Sequence, residues 1–232
     1  MQKSLLYASI GLNLILIAAF LFLIQSLGGF SYLLYKMQNR GVGMVYDHRK
    51  SLFTVLETAP ASIIFLGNSL TQQCEWAELF NNATIKNRGI TGDMTTGVLA
   101  RLDEIVVTKP TKLFLMIGVN DLLFHRPPII LENYQQILQK IKKASPTTQV
   151  YVQSILPVNN ALRSTGIKNA DIQVLNSGIQ ALAKAFGFPY LDLYQAFVTT
   201  EGRMNQNYTY DGIHLNGAGY LNWKQAIATY VE

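Results

Sequence analysis

Hydrophobic residues follow two rhythms along this chain. From Leu5 to Leu27 they are almost continuous, and from Ser62 onward short apolar runs alternate with stretches in which apolar residues return every three or four positions. Ser62–Leu66, Leu113–Ile117 and Val150–Leu156 read as strands buried on both faces, with Tyr190–Leu193 a shorter candidate and Thr84–Asn87 a weaker one. Between them, Val98, Leu99, Leu102, Ile105 and Val106 step at helical spacing, as do Ile130, Tyr134, Ile137, Leu138 and Ile141. A third set, Ile172, Leu175, Ile179, Leu182 and Phe186, stops at Gly187 and Pro189 as a helix should. Strand and helix alternating in this way predict an α/β fold, a parallel sheet of about five strands with helices on both faces. Ligands of such sheets bind at the carboxyl ends of the strands.

The first apolar run has a different use. Its 23 residues, Leu5 to Leu27, are long enough as a helix to cross a hydrocarbon core of roughly 30 Å, and no charged residue occurs between Lys3 and Lys36. A cleavable signal has a shorter apolar stretch followed by a small-residue cleavage site, and no convincing site stands near Ala18, Ala19 or Ser26. The expectation is therefore a single N-terminal membrane anchor, with Phe30, Tyr32, Tyr35 and Lys36 as an interfacial belt. Residues 1–43 are assigned to anchor and linker, and 44–232 to one folded domain placed outside the cytoplasm. The flanking charges, Lys3 with the amino terminus against Lys36, Arg40, Arg49 and Lys50, do not themselves decide the orientation.

Composition narrows the function classes. Charged residues make up 14% of the 232 residues, against about 25% in a typical soluble domain, and 49% are hydrophobic, which excludes a disordered tail. A net charge of +5 raises the question of nucleic acid, but the Lys and Arg residues are scattered without a basic stripe, so no nucleic-acid partner is expected. One cysteine, Cys74, allows no internal disulfide and reads as a buried free thiol. Three histidines without ligand spacing leave no metal site to expect. No P-loop occurs, and Gly41-Val42-Gly43 is too short for a dinucleotide fingerprint, so no cofactor is expected.

The polar residues of interest follow the predicted strands. Gly67-Asn68-Ser69-Leu70 comes after the first, Gly89-Ile90-Thr91-Gly92-Asp93 after the second, Gly118-Val119-Asn120-Asp121 after the third, and Asp211-Gly212-Ile213-His214 stands near the C-terminus. Each alone also reads as a cap or a turn. Together they supply the parts of acyl transfer: a hydroxyl, a base, a carboxylate to orient the base, and donors for an oxyanion. An Asp three residues before a His can hold the imidazole in the tautomer whose Nε2 takes a serine proton.

These four blocks resemble the SGNH, or GDSL-type, hydrolase family, with Gly-Asn-Ser-Leu here in place of Gly-Asp-Ser-Leu, from about Ala61 to the C-terminus. The stretch from Asn87 through Leu102 is also similar to the second block of the bacterial thioesterase and lysophospholipase branch. The resemblance implies a flavodoxin-like three-layer sandwich, with Ser69 as nucleophile and Asp211 and His214 completing the triad. It implies an oxyanion hole made of the Ser69 N–H, the Gly92 N–H and the Asn120 amide. The α/β-hydrolase alternative needs Gly-x-Ser-x-Gly, and the fifth position here is Thr71.

Remaining polar residues receive expectations too. Asp93 reads as a cap for a helix over Thr95–Val107 or as an active-site hydrogen-bonding group, His125 as loop surface or pocket rim, His48 as a solvated helix residue, and Asp192 as structural. Asn68, Gln153 and Asn159 are candidates for substrate binding, forming with Thr91 a polar rim at the strand ends. The expected reaction is hydrolysis of a small acylated substrate, a short-chain (acetyl) ester of a sugar or similar polar alcohol, as in sialate O-acetylesterases. Alternatives are a lysophospholipase or thioesterase acting on longer chains, and a non-catalytic module that binds acylated glycans.

Overall fold

The computed structural model describes residues 2–26, 29, 40–56 and 62–232. The interfacial belt expected at Phe30, Tyr32, Tyr35 and Lys36 lies outside them. The chain forms two units, residues 1–43 and 44–232. In the first, helix α1 (Gln2–Ser26) is apolar on every side, and its Ser9–Ser26 segment has a mean hydropathy of 2.1 with no residue buried. It is long and apolar enough to be a membrane anchor or a signal sequence.

The second unit begins within helix α2 (Arg40–Val55). It continues through β1 (Ile63–Gly67), the short helices α3 (Ser69–Gln72) and α4 (Trp76–Leu79), β2 (Ile85–Gly89), α5 (Thr95–Val106) and β3 (Lys112–Met116). After β3 come α6 (Pro127–Ala144), β4 (Gln149–Gln153), α7 (Asn169–Phe186), β5 (Tyr190–Leu191), α8 (Tyr194–Phe197) and α9 (Gly217–Val231). All five strands are parallel, in the order β2-β1-β3-β4-β5.

Strand sequences explain the three layers. Successive side chains of a strand point to opposite faces, and both faces here are apolar. Ile64 and Leu66 of β1 and Leu113 and Leu115 of β3 pack with α5, α6 and α7 on one side. Ile63 and Phe65, with Phe114 and Met116, pack against α3, α4 and α9 on the other. On that second face Phe65, Phe114 and Tyr151 sit opposite one another in register and stack, with ring centroids 4.7 and 4.8 Å apart. Trp76 covers Phe65 at 4.2 Å and meets Trp223 of α9 edge-on at 5.0 Å.

The expected run Val150–Leu156 is strand only as far as Gln153. Ile155, Leu156 and Val158 are buried, yet they belong to a loop. Its backbone is satisfied by carboxamides instead of a neighbouring strand. Asn176 accepts from the Ile155 N–H and donates to its C=O, and Asn169 does the same for Val158. A buried loop whose polar groups are met in this way is indistinguishable from a strand by hydrophobicity. Helix α7 ends at Gly187, which takes the left-handed φ of 76° that favours glycine at this position.

Candidate active site

The sheet reverses its winding between β1 and β3, and the loops leaving β1, β2 and β3 at their carboxyl ends form the crevice there. Ser69, 7% exposed, is the first residue of α3, two residues beyond the end of β1. The turn that carries it is tightly built. Gly67 faces the Met116 carbonyl oxygen so closely that an added Cβ would stand 2.4 Å from it. A Cβ at Gly89 would lie 2.3 Å from the backbone nitrogen of Gln72 and 2.8 Å from the Asn68 oxygen, so glycine is what lets β2 approach α3.

Side chains meet the backbone groups that so short a helix leaves open. Asn68 Oδ1 accepts from the Leu70 N–H at 3.0 Å. Asn87 Nδ2 donates to the carbonyls of Thr71, Gln72 and Cys74 while its Oδ1 accepts from the Gly89 N–H. Tyr220 Oη donates to the Leu70 carbonyl and Trp76 Nε1 to that of Thr71. Neither Asn87 in this role nor Tyr220 is visible in the sequence, because each acts on a backbone group supplied by another element.

Ser69 Oγ lies 3.0 Å from His214 Nε2, and His214 Nδ1 lies 2.7 Å from Asp211 Oδ2. The tautomer with its proton on Nδ1 satisfies both contacts. Asp211 Oδ1 accepts from the N–H groups of Ile213 and His214, closing a turn that aims the imidazole. Partial burial works to raise the Asp211 carboxyl, but these bonds and the nearby imidazole outweigh it and bring it down to about 2. Gly212, at φ 83°, lets this turn press on the Asn159 carbonyl, 2.4 Å from where its Cβ would be.

Gly92, at φ 78°, lies in the loop that follows β2, and Asn120 in the loop that follows β3. Asn120 Nδ2 donates one of its two hydrogens to the Asp93 carbonyl at 2.9 Å. Among the described residues no internal acceptor serves the backbone N–H of Ser69 or of Gly92. The structure thus joins Ser69, His214 and Asp211 by direct contact, and it ties Asn120 to Asp93, the neighbour of Gly92, in the loops that follow β3 and β2.

Three expected substrate contacts are not brought there. Asn68, Gln153 and Asn159 are 1%, 1% and 3% exposed. Asn68 caps α3, Gln153 accepts from Trp223 Nε1 at 2.8 Å, and Asn159 donates to the Met204 carbonyl and accepts from the Ala161 N–H. Their polarity serves the backbone and a buried indole, so the polar rim reduces to Thr91.

Asp93 does not cap α5 either. The open Thr95 N–H at the start of that helix is met by the Asp121 carboxylate, which also accepts from Thr95 Oγ1 at 2.5 Å. Asp93 turns instead to Arg101, with Nη2 to Oδ2 at 2.9 Å and both side chains 1% exposed. Burial pushes its carboxyl up, against the pull of Arg101, to about 6. Cys74 is a buried free thiol, pushed up to about 12 by burial and by Glu75. His125 lines a groove of about 610 Å³ with Leu122, Phe124, Arg126 and Lys168, and His48 is exposed on α2. No group of three or more His, Cys, Asp or Glu placed to hold a metal occurs among the described residues.

Comparison with known proteins supports this fold. A model of the GDSL-like lipase/acylhydrolase family matches residues 65–221. Platelet-activating factor acetylhydrolase IB subunit alpha1 of Rattus norvegicus is 31% identical over 167 residues, covering 68% of this chain and 69% of the relative. A Streptococcus pneumoniae protein provisionally described as a platelet activating factor superposes with a TM-score of 0.79 at 26% identity, over 87% of this chain and 99% of the other. A GDSL-like lipase from Bacteroides thetaiotaomicron does so with a TM-score of 0.70 at 25% identity, over 80% and 96%.

The Asp211 environment yields a prediction about stability. A folded-state carboxyl at about 2, below its ordinary 3.8, stabilises the fold above pH ~4, and that stabilisation is lost as pH falls toward 2. Asp211→Asn should cost about 1 kcal/mol at neutral pH, the size of an ordinary hydrogen bond at a partly exposed site. In thermal unfolding followed from pH 7 to 2, the gap between wild type and variant should narrow below pH 4. A gap that stays constant would show that the charge of Asp211 does not stabilise this turn.

Proposed function

We propose that this chain, which belongs to the GDSL-like lipase/acylhydrolase family and is a carboxylic ester hydrolase, cleaves its ester through an acyl-enzyme on Ser69. The observation that carries the reading is the continuous contact from Ser69 Oγ through His214 to Asp211, at 3.0 and 2.7 Å. Neutral His214 takes the serine proton at Nε2 as Oγ attacks the carbonyl carbon. Asp211 steadies the imidazolium that forms. Negative charge then develops on the carbonyl oxygen and is met by the N–H groups of Ser69 and Gly92 and by the second N–H of Asn120. His214 returns the proton to the departing alkoxide, and water repeats the sequence in reverse to free the acid. All three triad groups are present, which favours catalysis over a module that only binds acylated ligands.

For the acyl group we favour acetyl. The related acetylhydrolase supports a small acyl chain, whereas the polar alcohol expected from the sequence has lost the support of Asn68, Gln153 and Asn159. A sugar-like alcohol, as in a sialate O-acetylesterase, would have Thr91 as its one contact among the four residues expected at the strand ends. In the same reading α1 anchors the domain to a membrane, supported by an apolar segment of which no residue is buried.

Ser69→Ala should abolish ester turnover by the folded protein, and Asn120→Ala should lower kcat by roughly 10²–10³ because its contact strengthens only as charge develops. Turnover near the wild-type rate in folded Ser69→Ala overturns the nucleophile, and an effect of Asn120→Ala confined to KM makes it a substrate contact. With full-length protein in detergent, kcat/KM should be higher for acetyl esters than for matched C8–C16 esters. The opposite order would replace acetyl with long-chain specificity and leave the triad in place.

A further inference from the structure

We propose that the buried Arg101–Asp93 pair, braced from α2 by Tyr46, Arg49 and Phe53, is the positioning device that holds the three oxyanion donors in register. The proposal rests on the roles given above to Ser69, Gly92 and Asn120 and adds the group that fixes their separation.

One guanidinium reaches both relevant loops. Arg101 Nη2 donates to the Gly67 carbonyl at 3.2 Å, two residues before Ser69. Arg101 Nε donates to Asp93 Oδ2 at 2.9 Å, and Asp93 is the neighbour of Gly92. Asp93 then uses its main-chain carbonyl to hold Asn120 Nδ2 at 2.9 Å and its Oδ1 to hold the Met94 N–H at 3.0 Å. A chain of bonds through Arg101 and Asp93 therefore links the backbone leading to Ser69, the loop of Gly92 and the side chain of Asn120. The helix makes room for it: a Cβ at Gly97 would stand 2.0 Å from Asp93 Oδ1.

The brace comes from α2, outside the residues 65–221 that the family model matches. Tyr46 Oη donates to the Gly97 carbonyl at 3.2 Å and Arg49 Nη2 to the Gly89 carbonyl at 3.3 Å. The Phe53 ring lies 4.9 Å from the guanidinium carbon of Arg49, 4.8 Å from that of Arg88 and 5.9 Å from that of Arg101. Stacking on this ring favours the guanidinium groups of buried Arg88 and Arg101 and of half-buried Arg49.

Stability alone is a poor explanation for such a pair. Desolvating two charges offsets most of their attraction, and apolar replacements are often as stable. What apolar side chains cannot supply is directed donation to Gly67 and Asp93 at once, and oxyanion stabilisation depends on donors held within fractions of an ångström.

The test uses full-length protein and an aryl acetate. Arg101→Lys keeps the charge and loses the fork, and Asp93→Asn keeps an acceptor and loses the charge. Both should lower kcat roughly 10- to 100-fold with KM within about twofold, and should slow inactivation by a phosphonate that forms a charged tetrahedral adduct to a similar degree. Tyr46→Phe and Phe53→Leu should lower kcat by a smaller factor in the same pattern. Ile141→Ala, a buried site near the far end of α6, should lower Tm while leaving kcat unchanged below its unfolding temperature. The inference is overturned if the Arg101 and Asp93 variants behave as Ile141→Ala does. Should Arg101→Lys fail to fold, unchanged kcat in both Tyr46→Phe and Phe53→Leu overturns it. Ser69→Ala reports separately: activity there removes the catalytic premise, whereas an inactive Ser69→Ala beside wild-type kcat in the Arg101 and Asp93 variants removes this inference alone.

Discussion

Where strands of a parallel sheet end, much of the turning chain is buried, and each N–H and C=O shut off from water there needs a partner within the protein. The carboxyl-end loops of this molecule are organised by that requirement. Asparagine meets it repeatedly, because a carboxamide offers one acceptor and two donors and can stand in for a neighbouring strand. Asn87 holds α3, Asn176 and Asn169 hold the loop after β4, and Asn159 holds the segment that presses on Gly212. With its backbone tied down at these points, Ser69 meets His214 across 145 residues of sequence.

The same requirement explains why charge is buried near Gly92. Near Gly92 the Gly67 carbonyl and the Asp93 carboxylate call for donors, and the start of α5 calls for an acceptor. Arg101 serves the first two and Asp121 the third. Burial raises the carboxyls of both Asp93 and Asp121, whereas at the more open Asp211 three donated hydrogen bonds prevail over the smaller burial effect. The contrast separates carboxylates that shape the crevice from the one that orients the imidazole.

Aromatic packing supplies rigidity on the opposite face. The stack from Trp76 through Phe65 and Phe114 to Tyr151 crosses three strands, and Trp223 ties α9 to it by an edge contact and to β4 through Gln153. Since α3 lies on this face, the nucleophile's helix is held from below by rings and from its end by Asn87 and Tyr220.

Local rhythm in the sequence determined the elements, and the family resemblance singled out Ser69, Gly92, Asn120, Asp211 and His214 as the candidate site residues. Apolar alternation, helical spacing and the Gly187 stop depend on neighbours within a few positions, and the blocks around Ser69, Gly92 and Asn120 fall after strands because the fold class places loops there. Tertiary structure alone decided which polar residues face substrate and which face backbone. Asn68, Gln153 and Asn159 look like pocket residues by position, yet Asn68 caps the helix that it precedes, Gln153 and Asn159 are consumed by groups from distant segments, and Asp93 leaves its cap role to Asp121. Arg101 carries no local sign of importance, being one more residue on an amphipathic helix. Hydrogen-bond demand is set by the atoms that long-range packing brings close, and the partners of Gln153, Asn159 and Asp121 stand 70, 45 and 26 residues away, too far for a local sequence window to contain both.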